Sequence, residues 1–182
     1  MSIYEISFDP DTFQSLRFLT PDAVLLHPNW TEWFIGDPMI AVWKPVAVDF
    51  EPSPTKLSGD FPSLGGIPPV FSERAKNILE PLISDSVEFL PLACKDVPLY
   101  AVNVTRVLDC LDLSMSQFKR FSDGRIMRVE RYVFKRECLE GEHMFKIPQQ
   151  VRNRIYVSEI FKQTVENARL QGMFFYAIAE NN

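Results

Sequence analysis

Three cysteines, two histidines and a scatter of carboxylates are the side chains here that could make or break bonds. Their spacing limits the chemistry. A zinc site needs three or four closely spaced Cys or His ligands. Cys94, Cys110 and Cys138 are scattered, and His27 lies far from His143 in sequence. Glu140-x-x-His143 could place two ligands on one helical face, but carboxylate-bridged sites need a second such pair, and Gly141 points to a turn. Cys94 ends a strand-like run and Cys110 stands between Leu108 and Leu111. Both read as small buried apolar residues, not as nucleophiles paired with a His. Asp109 and Asp112 are spaced to share a helix face, but Asp112 before Leu113-Ser114 reads as a local cap. The glycine pair Gly65-Gly66 leads into Pro68-Pro69, which offer no amide donors for a phosphate. The expectation is a protein with no catalytic residues, no cofactor and no metal site.

The elements that would carry a surface are clearer than any reaction centre. The chain has 182 residues, 46% hydrophobic, with a net charge of −5. That composition suits a globular protein and weighs against a general nucleic-acid binder. Residues 1–69 hold nine acids and three bases (net −6), ten of the 14 prolines and all three tryptophans. Residues 70–182 hold 15 acids and 16 bases, net +1. This predicts an acidic Pro/Trp-rich lobe over 1–69 and an α+β lobe over 70–182, divided at the turn-rich run 63–71. Residues 119–136 carry seven bases against two acids, net +5. They read as a hairpin turning at Ser122-Asp123-Gly124, with a charged wet face set against the acidic first part. Nucleic-acid binding by this run is the alternative.

Periodicity predicts a strand at 3–8 and one or two strands within 39–50, broken by Pro45. Ser72 caps a helix with apolar positions at Ala75, Ile78, Leu79 and Leu82, which Pro81 kinks or ends near Glu80. Strands follow at 87–92 and 98–102, then a short helical stripe of Val104, Val107, Leu108 and Leu111. Residues 126–135 form the best strand, and Phe145 with Ile147 mark another. A longer amphipathic helix runs from Val157 to Ala168, with Gly172 at its left-handed cap. A strand at 173–178 reads as buried on both faces. The fold class is α+β, with mixed or antiparallel sheets and a few short helices. The opening MSIYEISFDPDTF has no basic leader, no apolar run nears the ~20 residues of a membrane helix, and the odd cysteine count suits a reducing cytoplasm.

An ordered series of short motifs carries more. It includes Gly59-Asp60-Phe61-Pro62, Pro68-Pro69-Val70-Phe71, Ser72-Glu73-Arg74-Ala75 and Glu88-Phe89-Leu90-Pro91-Leu92. Later come Tyr100-Ala101-Val102-Asn103-Val104-Thr105, Arg131-Tyr132-Val133-Phe134-Lys135, Phe145-Lys146-Ile147-Pro148 and Gly172-Met173-Phe174-Phe175. In this order they resemble a bacterial immunity-protein family of polymorphic toxin systems (immunity family eleven, the MXAN-type immunity domain). The resemblance runs from about Asp60 onward and is looser before, around Trp43-Lys44-Pro45. It implies a cytoplasmic antitoxin that binds a cognate toxin encoded nearby and inhibits it stoichiometrically. An enzyme reversing a toxin's modification is the alternative. The family brings no catalytic residues to transfer. An acidic face with aromatic anchors would suit a basic toxin cleft. The expected toxin-binding residues are Trp30, Glu32, Trp33, Asp37 and Asp60, with ordinary core packing as the other reading of the two tryptophans.

Overall fold

The computed structural model describes residues 2–19, 33–65, 68–95 and 97–179. Among the described residues it is an α+β structure of two main sheets, a separate hairpin and two α-helices. The first sheet has the order β11-β1-β10-β9. It combines β1 (Ile3–Phe8) with β9 (Met144–Phe145), β10 (Tyr156–Ser158) and β11 (Met173–Ala179), all antiparallel. The second has β2 (Leu16–Phe18), β3 (Ala47–Phe50), β5 (Val87–Cys94), β6 (Leu99–Val104) and β4 (Val70–Ser72), in that spatial order. Only its β3–β5 pair is parallel. Strands from before and after residue 69 therefore enter both sheets.

Helix α1 (Glu73–Ile83) starts as its sequence requires. The Ser72 hydroxyl accepts from the Ala75 N–H at 3.1 Å, and Glu73 lies in the positively polarised first turn. It does not stop at Glu80: Pro81 lies inside it, and the Ser84 N–H closes on the Glu80 carbonyl at 2.9 Å. Leu79 and Ile83 are buried, so packing of the last turn offsets the donor that proline lacks. Helix α2 (Glu159–Asn167) is capped by Ser158, which accepts from the Phe161 N–H at 3.2 Å. Its left-handed terminus is not Gly172 but Arg169, at φ 54°. The Arg169 N–H reaches the Glu166 carbonyl and the Leu170 N–H the Val165 carbonyl, both at 3.0 Å. That is the paired bonding of a Schellman terminus, with Leu170 and Val165 in one buried cluster. Gly172, at φ 104°, instead lets the chain pass Phe61.

Other expectations also change. The stripe at Val104, Val107, Leu108 and Leu111 is not helical. Val104 ends β6, Val107 bridges Lys146 and Leu111 bridges Phe134. Hydrogen bonds to neighbouring segments override a short periodic pattern that fits either state. Residues 39–46 are irregular, and only 47–50 form a strand. Strand β11 is a sheet edge. Met173 and Phe175 pack inward, while Phe174 and Tyr176 are 48% and 56% exposed. Its apolar run thus covers one buried face and one open face. The basic hairpin of β7 (Gln117–Arg120) and β8 (Ile126–Arg131) forms, with Gly124 at φ 86° in the turn, but β8 stops at Arg131, short of the expected Lys135. Its ion pairs Arg125–Asp123 and Arg128–Glu130 are internal to it.

Three buried clusters hold the fold together. One lies beneath the two helices, around Phe61, Phe71, Leu79 and Phe161. A second lies between the second sheet and residues 33–46. The third includes Ile3, Leu111, Phe134, Phe145 and Tyr156.

Candidate functional site

The segment from Trp33 to Trp43 is irregular, yet fixed by side chains that reach it from strands far away in sequence. Asn103, on β6, is buried in an otherwise apolar strand. Its Nδ2 donates to the Asp37 carbonyl at 2.8 Å and to Glu88 Oε2 at 2.9 Å. Glu88, on β5, accepts from the Met39 N–H at 2.7 Å and from the Ile40 N–H at 3.2 Å. One carboxylate and one amide thus satisfy backbone groups that an irregular loop cannot satisfy internally. A carboxylate accepting two backbone N–H groups makes charge-assisted bonds, stronger than neutral ones.

The loop's two ends are tied as well. Trp43 Nε1 donates to the Pro91 carbonyl at 2.8 Å. The Lys146 ammonium donates to the Phe34 carbonyl. Trp33 and Phe34 both pack against Trp43, with ring centroids 6.1 and 6.3 Å apart. Phe34 is held at φ 60°, a costly conformation for a bulky residue, which persists where surroundings over-determine it. Gly36, at φ 110°, lies so close to Val107 that a Cβ would stand 2.4 Å from its Cγ2. Any larger residue there would collide with the Val107 side chain and strain the backbone.

The result is a preformed surface. Ile40 and Val42 are 54% and 68% exposed on a loop whose base is anchored. A shallow depression of about 230 Å³ lies beside them, lined by Trp33, Phe34, Asp37, Met39 and Val42. Exposed apolar side chains around a half-buried aromatic, with one open carboxylate, have the composition of a protein-contact centre.

The expected binding residues separate. Trp33 and Asp37 both line this depression, Trp33 half-buried and Asp37 exposed. Asp60 lies at the start of α1 in a buried network. It accepts from Ser72 Oγ at 3.1 Å, Arg74 Nη1 at 2.9 Å and the Gln171 N–H at 3.0 Å. It clamps the start of α1 to the chain beyond α2. Trp30 and Glu32 lie outside the described residues. The sequence reading missed Glu88, Lys146, Ile40 and Val42. The available signals were Asn103 interrupting an apolar strand and a lone glycine after the aromatic run.

The groups with chemical potential are otherwise occupied. Cys94, Cys110 and Cys138 are thiols, not linked to one another by disulfides, and burial pushes Cys110 up to about 12, away from thiolate reactivity. His143 Nδ1 lies 2.9 Å from Ser158 Oγ, but that hydroxyl is buried and caps α2. Among the described residues no three His, Cys, Asp or Glu side chains could jointly hold a metal ion. None of the described helices is long and apolar enough to cross a membrane.

Comparison with known proteins adds one match. The model of an immunity protein family (Imm11) matches residues 11–180, reaching well upstream of Asp60. No curated protein matches the chain.

Proposed function

Because the chain belongs to the Imm11 immunity protein family, we propose that it protects a toxin-producing cell by binding the cognate toxin stoichiometrically in the cytoplasm. The 33–43 loop is the centre of contact. The observation that carries this reading is the anchoring of Ile40 and Val42. They are well exposed, yet their backbone is fixed by Glu88 and Asn103. A preformed apolar contact avoids much of the ordering cost of association. Trp33 supplies an aromatic anchor beside them, and Asp37 a carboxylate suited to a basic toxin cleft.

The test mixes the purified chain with the toxin domain encoded beside it. One molar equivalent should abolish toxin activity, and the two should elute as a 1:1 complex. Protection persisting at one-tenth of an equivalent would show turnover and defeat the reading. Ile40→Glu with Val42→Glu should weaken the complex at least ~100-fold, as expected when a buried apolar centre acquires two charges. Circular dichroism should be unchanged, because both side chains point to solvent.

A further inference from the structure

Among the described residues, every sheet edge but one is short or charged. β9 is two residues long, β2 and β4 are three each, and Arg17 stands in the middle of β2. The strands of the basic hairpin carry Lys119, Arg120, Arg128 and Arg131. Short length and charge are two of the ways in which an edge is kept from pairing with another chain. β11 has neither. It runs for seven residues, Met173–Ala179, with no charge and no proline.

One side of β11 is paired with β1 along its length. Among the described residues no backbone hydrogen bond joins it to any other segment. In an antiparallel pair every second residue turns its N–H and C=O away from the neighbour. The outer side of β11 is therefore a row of donors and acceptors that another strand can satisfy. The side chains divide between the faces. Phe175 faces the helices, its ring centroid 6.4 Å from those of Tyr4 and Phe161. Phe174 and Tyr176 are the exposed aromatics of the opposite face.

We propose that β11 pairs antiparallel with β11 of a second copy, joining two four-stranded sheets into one of eight strands about a two-fold axis. Three features favour a second copy over a foreign strand. Identical strands related by a two-fold axis offer the same surface to each other, so the contact closes at two chains. β11 carries no charge, so self-pairing sets no charge against its like. An axis at Tyr176 overlaps all seven residues and matches their volumes. On the helix side Phe175 meets the partner's Ala177. On the open face Phe174 meets the partner's Ile178, and the two Tyr176 rings meet each other. Aromatic pairs, and aromatic with β-branched pairs, are among those that stabilise neighbouring strands. The inference stands apart from toxin binding, because β11 belongs to the first sheet and the 33–43 loop packs against the second.

Sedimentation equilibrium of the full chain over about 1–500 µM tests this. The mass should rise from that of one chain toward that of two and go no further. Tyr176→Lys sets two ammonium groups against each other at the axis and should weaken the dimer at least ~tenfold, whereas Tyr176→Phe should leave it within about threefold. Tyr176 is 56% exposed, so circular dichroism should not change. Cross-linking gives an independent reading. Residues directly opposite in a strand pair lie within disulfide range. Tyr176→Cys should therefore form a linked dimer with copper phenanthroline in air, and Phe174→Cys should link no faster than the unsubstituted chain. A monomer at every concentration, growth beyond two chains, a dimer indifferent to Tyr176→Lys, or equal linking by the two cysteine variants would overturn the proposal. So would protection of the β11 amides from hydrogen exchange only when the toxin domain is added, which would assign this edge to a strand of the toxin.

Discussion

A single buried side chain can set how the fold responds to pH. The folded protein holds the Lys146 proton only to about pH 8, whereas an unfolded chain holds it to about 10.5. Between those values the unfolded state carries more protons, so stability rises with pH. The penalty is fully present below pH 8 and gone above 10.5. The stability of the protein minus that of Lys146→Met should therefore climb by up to about 3 kcal/mol across that window, read from urea titrations at several pH values. Taking the difference matters, because burial of Cys110 raises its thiol and contributes the opposite slope above pH 9. A flat difference would mean that the ammonium is better solvated than its position suggests. Arg169 offers a second residue-scale test. It holds a left-handed conformation that glycine adopts without penalty, so Arg169→Gly should stabilise the protein by about 0.5–1 kcal/mol in thermal unfolding. The sequence pointed to Gly172 for this position because glycine is the usual occupant. Only the bonds of Arg169 and Leu170 to the preceding turn reveal where the helix ends.

At the scale of elements, local chemistry was legible and long-range chemistry was not. The Ser72 cap, the strand at 3–8 and the turn of the basic hairpin all depend on neighbours within a few residues, and all three form. The stripe at 104–111 failed because its apolar spacing suits a helix while its backbone bonds to residues 133–146. Strand β11 looked doubly buried because hydropathy does not say which face will be covered. The candidate site follows the same division. Trp33 and Asp37 stand out by type, but Glu88, Asn103 and Lys146 reach the loop from 49 to 112 residues away. Pro81 gives a prediction at this scale. It removes a backbone donor within α1, and its side chain is exposed. Pro81→Ala should raise stability by about 1–2 kcal/mol, less than the full ~3 kcal/mol helix penalty because proline also restricts the unfolded chain. An unchanged melting temperature would show that the helix already accommodates the proline.

For the whole molecule, the pairing order of the first sheet matters most. β1 lies between β10 and β11, with Ile3 opposite both Ser158 and Ala179. During synthesis β1 leaves the ribosome without either neighbour until residues 156–179 have been translated. At ordinary elongation rates that delay is on the order of ten to thirty seconds. During it the alternating strand has nothing to pair with, and Ile3 and Ile6, both buried in the finished fold, are left uncovered. Under the proposed function, protection would arrive only once β11 has been made. Stalled nascent chains lacking β11 should fail to capture the toxin even though the entire 33–43 loop has emerged. A cell that makes both proteins from one message gains safety by translating this one first.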